Sequence, residues 1–210
     1  MNPTKTFFAA TTLALAAVGA QAQSSDLTLW TKAGDAVVTS GTAVLTTAAT
    51  ASGETPISAT SALLFNNLES ALTIVTTATD TIEGSGLRQS FTAAAGTKIS
   101  FNWLLSTAAY ASDAAVGALD RAFVVVDGST VIDFATIAAS PVSGSYSYTY
   151  ATGGSHAFAI VVMDVLDTAG VSTLTVSNVS VSAVPEPASI ALLLAGLGVL
   201  VGAKRAGRRR

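Results

Sequence analysis

Apolar and polar residues alternate with a period of two in several short stretches, the pattern of half-buried β-strands. The clearest stretch sets Ile99, Phe101, Trp103 and Leu105 against Ser100, Asn102, Leu104 and Ser106. A second sets Tyr146, Tyr148 and Tyr150 against Ser145, Ser147 and Thr149. Threonine, valine and aromatic content with glycine punctuation predicts further strands over residues 27–31, 43–47, 72–77, 87–92, 122–127, 131–134 and 156–165. Asp127-Gly128 reads as a hairpin turn, and Gly153-Gly154 as a turn before the 156–165 strand. In the last strand, residues 173–182, Leu174 and Val176 share one face while Val179 and Val181 fall on the other. That change of phase predicts a bulge or bend around Asn178. Helical spacing occurs only at residues 61–71, where Leu63, Leu64, Leu68 and Ala71 form one face.

About ten short strands with regular turn signals predict an all-β, antiparallel β-sandwich of jelly-roll-like form. Its span, residues 23–183, is enough for one domain with a real core. The threonine- and alanine-rich segment at 44–60 reads as a loose surface connection.

Composition narrows the chemistry. The chain has no cysteine, which excludes disulfide scaffolds, thiol enzymes, zinc ribbons and iron–sulfur centres, and one histidine, His156, which excludes a multi-histidine metal centre. The body between residues 23 and 183 holds twelve acids but only Lys32, Arg88, Lys98 and Arg121, so it carries −8. An acidic body repels phosphate backbones, so nucleic acid is not an expected partner.

The two ends read as addresses. Residues 1–22 place Lys5 before an apolar run of about 12 residues, too short for a bilayer, and close on Ala20-Gln21-Ala22. This is a secretory signal peptide, with signal peptidase cutting after Ala22 so that Gln23 becomes the first residue. Residues 184–210 run Val184-Pro185-Glu186-Pro187, the uncharged stretch 188–203, then Lys204, Arg205, Arg208, Arg209 and Arg210. The apolar stretch reads as a C-terminal transmembrane helix, and the five cations as a stop-transfer brake that holds the C-terminus in the cytoplasm. The precursor is thus anchored in the inner membrane with its body outside the cytoplasm.

Pro-Glu-Pro, apolar helix and arginine-rich end behind a signal peptide resemble the PEP-CTERM sorting signal of exopolysaccharide-producing Gram-negative bacteria. The resemblance implies that the membrane enzyme exosortase recognises Pro185, Glu186 and Pro187, removes the helix and tail, and delivers the protein to the cell surface or exterior. The body resembles, more loosely, an ectodomain type that accompanies this signal and looks like sugar-binding jelly rolls. That likeness is carried by residues 83–91, 95–103, 122–128 and Ser177-Asn178-Val179, with Ser177 standing where the type commonly has aspartate.

Candidate chemistry in the body is sparse. Glycosidases need two carboxylates flanking a scissile bond, and Asp164 with Asp167 or Asp113 with Asp120 are the nearest pairs by sequence. Ser155 and His156 are adjacent on a strand and point to opposite faces, so His156 reads as a strand residue and not a base. Jelly-roll sugar binders often brace their loops with calcium, and Asp26, Asp35, Asp164 and Asp167 are the candidate hard-oxygen ligands; no other cofactor is implied. Trp103 reads as core. The tyrosine stripe reads as core with hydroxyls at the rim, the alternative being a sugar-stacking platform. The reading is a non-catalytic, exosortase-processed surface or matrix protein with a structural or adhesive role in exopolysaccharide or biofilm. A lectin-like, calcium-braced module is the alternative, and a secreted carbohydrate-active enzyme the second.

Overall fold

The computed structural model describes residues 25–77, 80–182 and 195–196. The signal segment lies outside the described residues, as does the sorting segment apart from residues 195–196. No described helix is long and apolar enough to cross a membrane.

The described chain runs β1 (Thr31–Ala33), β2 (Asp35–Thr39), β3 (Thr42–Thr46), β4 (Leu63–Leu64), α1 (Phe65–Leu72), β5 (Thr81–Ala93), β6 (Lys98–Thr107), α2 (Tyr110–Val116), β7 (Arg121–Val126), β8 (Thr130–Thr136), β9 (Val142–Thr149), β10 (Gly154–Val165) and β11 (Ser172–Ser182). The strands form two sheets, β1-β5-β10-β7-β8 with β4 also on β5, and β2-β3-β11-β6-β9. Every pairing is antiparallel. The two sheets face each other across one core, the predicted jelly-roll-like sandwich.

The alternating strands do what their pattern dictates. Ile99, Phe101 and Leu105 of β6 and Leu174 and Val176 of β11 point into the core. Between Ser177 and Ser180 the register of β11 slips against β6, and Asn178 takes a positive φ of 53°. The bulge restores the phase, so Val179 and Val181 join Leu174 and Val176 on the core side. Asp127 and Gly128, both at positive φ, make the tight turn joining β7 to β8.

The central strands of the first sheet read differently. Phe123 to Val126 and Phe158 to Met163 are uninterrupted apolar runs buried on both sides. Their outer face carries Phe123, Val125, Ala159, Val161 and Met163, which pack against Leu68 and Leu72 of α1. Gly86 on the neighbouring strand makes room for that helix, since a Cβ there would lie 2.6 Å from Leu72 Cδ1.

Three expectations are corrected. Residues 27–31 do not form a strand: Asp26 accepts hydrogen bonds from the Thr28 amide and hydroxyl, which turns Leu27–Leu29 into a 3-10 helix, and β1 starts at Thr31. Residues 72–77 are not a strand either. Leu72 closes α1, Thr73 turns left-handed, and Ile74 tucks under the helix-side cluster, so these apolar positions serve helix docking. The segment after β3 lies on the surface but is not loose. The buried Asp35 carboxylate accepts the amides of Ile57 at 2.9 Å and Ser58 at 2.8 Å, together with the Thr46 hydroxyl.

Candidate functional site

The outer face of the second sheet is bare among the described residues. Strands β6, β9 and β11 contain no carboxylate and a single cation, Lys98, although the body as a whole is strongly acidic. Their outward side chains pair across strands as Ser100 with Ser147, Asn102 with Ser145, and Asn102 with Ser177. Around the Asn178 bulge these strands leave a shallow groove of about 260 Å³, lined by Lys98, Ser100, Phe101, Asn102, Ser145, Tyr146, Ser147 and Asn178. Such a surface offers neutral hydrogen-bond donors and acceptors and one positive charge.

Its two aromatic lining residues, Phe101 and Tyr146, pack on the core and present no open ring face. Tyr146 and Tyr148 face Phe101 and Ile99 across the β6–β9 ladder and pack on the core, and Tyr150 is buried. Phe101 lies 5.4 Å from Tyr146 and Tyr148 lies 4.9 Å from Tyr150, centroid to centroid. The Tyr150 hydroxyl donates to the Ala157 carbonyl at 3.3 Å, and burial pushes its pKa up. Trp30 is buried, and Trp103 packs against the core beside Phe134. No described aromatic residue is exposed, so the core alternative holds for the tyrosine stripe and the platform alternative does not.

His156 sits on β10 with its ring against Tyr150. Its Nδ1 is 3.0 Å from an Asp127 carboxylate oxygen, and its Nε2 is 3.1 Å from the Thr152 carbonyl oxygen. Both ring nitrogens lie against groups of the protein itself, and the residue ties the β7–β8 turn to β10.

At one end of the sandwich the acids pair differently from their sequence spacing. Asp164, on β10, and Asp120, in the loop before β7, are 1% and 2% exposed. Asp120 accepts the Val165 amide at 3.1 Å through Oδ1 and the Ser172 hydroxyl at 2.6 Å through Oδ2. Both oxygens of Asp164 are buried, with Thr47 and Asp120 as their polar neighbours. Burial, and then the Asp120 charge, push Asp164 up to about 9, while burial pushes Asp120 up to about 6. Burial raises Asp113 and Glu83 as well. A glycosidase needs its carboxylates on an open cleft, and this pair is sealed.

The four aspartates named for calcium are not brought together. Asp26 is exposed and caps the first 3-10 helix, Asp35 anchors the surface segment, and Asp167 turns the β10–β11 connection by accepting the Ala169 amide at 2.9 Å. Asp164 belongs to the sealed pair. Among the described residues no three histidine or carboxylate side chains gather to hold a metal ion. Sequence spacing missed the Asp120–Asp164 juxtaposition because it depends on β10 lying beside β7 in the sheet. The one usable signal was an aspartate at an inward position after an otherwise apolar run.

No curated protein matches this sequence. Among solved structures the chain is similar to one described as "CBM4 structure and function", at 11% identity over 74% of this chain and 94% of that one, TM-score 0.36. It is similar to TmCBM61 in complex with beta-1,4-galactotriose at 12% identity, over 76% and 92% of the two chains, TM-score 0.36. The N-terminal cellulose-binding domain from Cellulomonas fimi beta-1,4-glucanase C shares 10% identity over 75% and 90%, TM-score 0.34. The sandwich assignment rests on the strand pairing itself. Residues 183–210 match the family described as the PEP-CTERM protein-sorting motif, the segment in which Pro185, Glu186 and Pro187 precede the apolar stretch and basic end, and the chain carries that motif behind its β-sandwich body.

Proposed function

We propose that this is an exported protein, processed by exosortase at Pro185-Glu186-Pro187, whose sandwich serves a structural or adhesive role in the extracellular polysaccharide or biofilm matrix. The sorting motif behind a self-contained β-sandwich carries the proposal. The signal peptide delivers the body across the inner membrane and signal peptidase releases it at Gln23. The apolar stretch and the cations from Lys204 to Arg210 hold the precursor until exosortase acts. A non-catalytic role is supported by the burial of the facing carboxylates and by the engagement of both His156 ring nitrogens within the protein itself. Replacing Pro185, Glu186 and Pro187 together with alanine in the producing bacterium is expected to leave the tail uncut and the protein in the membrane fraction. Intact-mass analysis reads the outcome, and normal tail removal in that variant refutes the processing role.

The shallow groove on the bare sheet favours a second reading, a lectin-like module. Its hydroxyls, amides and single ammonium suit a neutral or weakly anionic polysaccharide, which the acid-free face does not repel. Retention of the protein on exopolysaccharide from the producing cells, with calcium and with chelator, tests this reading and the calcium brace together. Retention lost in Asn178→Ala and Lys98→Ala supports the groove, and unchanged retention in both variants excludes it.

A further inference from the structure

With Leu174 and Val176 facing inward, strict alternation along β11 would turn residue 178 into the core as well. The bulge prevents this. Pairing with β6 steps from Ser177 opposite Asn102 to Ser180 opposite Ser100, and Val179 takes the core position in place of its neighbour. Asn178 sits at a φ of 53°, a conformation that asparagine tolerates better than most residues. Its side chain is thereby exposed, and Ser180 is exposed two residues on. Neither the Asn178 carboxamide nor the Ser180 hydroxyl bonds to another described residue. On the opposite edge of β11, pairing with β3 ends at Val176, so from Ser177 onward that edge has no strand partner among the described residues. The segment is open both from the bare face and from this edge.

Asn178-Val179-Ser180 has the form Asn-x-Ser, with a residue other than proline in the middle, that N-linked glycosylation requires of its acceptor. Among the chain's five asparagines it stands alone. Asn66, Asn67 and Asn102 lack a hydroxyl two residues on, and in Asn2-Pro3-Thr4 proline fills the middle position. So short a motif arises often by chance, and the bulge gives this one its weight, because without it the same side chain would face the core. We propose that Asn178 is the attachment site of an N-linked oligosaccharide, transferred outside the cytoplasm from a polyprenyl diphosphate carrier. This assignment rests on the proposed export of the body. In the transfer the Asn178 side-chain nitrogen attacks the anomeric carbon of the carrier-bound sugar. The nitrogen–carbon bond forms as the anomeric carbon–oxygen bond breaks, the polyprenyl diphosphate leaves with the electron pair, and the nitrogen gives one proton to a base of the transferase. The Ser180 hydroxyl is the handle by which the transferase holds the acceptor. No carboxylate of β6, β9 or β11 opposes the approaching diphosphate. Once attached, the first sugar meets the hydroxyls of Ser100, Ser145 and Ser147 and the carboxamide of Asn102 in the adjoining groove.

The test uses the full chain expressed in the producing bacterium, read by intact mass and by fragmentation of the peptide that contains Asn178. The wild type is expected to exceed its polypeptide mass by a whole number of sugar residues carried on that peptide. Asn178→Gln keeps a carboxamide but displaces it by one methylene, and Ser180→Ala keeps Asn178 but removes the hydroxyl. Each is expected to abolish the excess mass on the peptide, and Ser180→Thr to retain it. An unmodified wild-type peptide overturns the proposal. So does sugar that stays on this peptide in both Asn178→Gln and Ser180→Ala, since it is then carried by a serine or threonine hydroxyl. The same spectra read export separately. With Asn178 bare, loss of residues 1–22 shows that export stands and the acceptor site falls, whereas their retention sinks both. Should Asn178→Gln not fold at the positive φ, Ser180→Ala decides, because Ser180 is exposed and lies outside the groove lining.

Discussion

The two sheets of this sandwich share a core but meet their surroundings in opposite ways. On the first, α1 covers the outer face, and β7 and β10 are apolar on both sides. On the second, β6, β9 and β11 send all their apolar residues but Leu104 inward and present mainly serine, threonine and asparagine outward. A strand covered twice is built for stability alone. A strand covered once keeps a face whose side chains are free of packing duties, and here that face also lacks every acid that crowds the rest of the body. The difference assigns folding energy to one sheet and contact with the outside to the other.

The sharpest way to break this division is to truncate a side chain on the covered face. Phe123 is buried in the cluster that Leu68 and Leu72 of α1 join on this face, so Phe123→Ala is expected to lower the free energy of unfolding by about 3–5 kcal/mol, measured by urea titration. A loss below about 1 kcal/mol would mean that α1 does not dock as described and that both sheets are bare.

A smaller effect is expected from pushing the helix away without removing apolar surface. In Gly86→Val the new side chain meets Leu72 within van der Waals radii, and Leu72 is fully buried with little room to yield. Such overpacking is expected to destabilise by about 1–3 kcal/mol. Combining it with Leu72→Ala, which removes the nearest of the three atoms the new Cβ would meet and leaves the Ile160 carbonyl oxygen and Val161 Cγ2, should give less than the sum of the two single losses. Strict additivity would show that helix and strand do not touch at this point.

The same contrast explains what the sequence made legible. A period of two announces a strand with one wet face, and β6, β9 and β11 were found in this way, including the bulge at Asn178 from its break in phase. An apolar run announces burial on both sides but does not name the covering element. That element, α1, was anticipated four residues too early because Leu63 and Leu64 pair with β5 before the helix begins. Residues 72–77 were misread for a related reason: their apolar positions fit either period over so short a span. The helix α2 went unseen, since its alanine-rich sequence carries no apolar stripe. The candidate groove and the sealed carboxyl pair depend on which strands become neighbours. Strand order is a long-range property, and a single sequence does not display it.

The gentlest perturbation tests whether the bare face is truly in water. Ser145 and Ser147 point outward on β9, which pairs with β6 on one side and is the edge of its sheet on the other. Ser145→Val with Ser147→Val adds β-branched side chains that suit a strand, so the unfolding free energy should stay within about 0.5 kcal/mol of the wild type for each change. Association should change instead. Two valines beside exposed Leu104 create an apolar patch next to an unpaired strand edge, and light scattering is expected to show oligomers where the wild type shows none. If the double variant loses stability and stays monomeric, something already packs on this face, and the division between a sheet that holds the fold and a sheet that meets the outside fails. If it associates at unchanged stability, the serines on β9 keep an open sheet soluble, which is the condition for leaving that face available to a polymer.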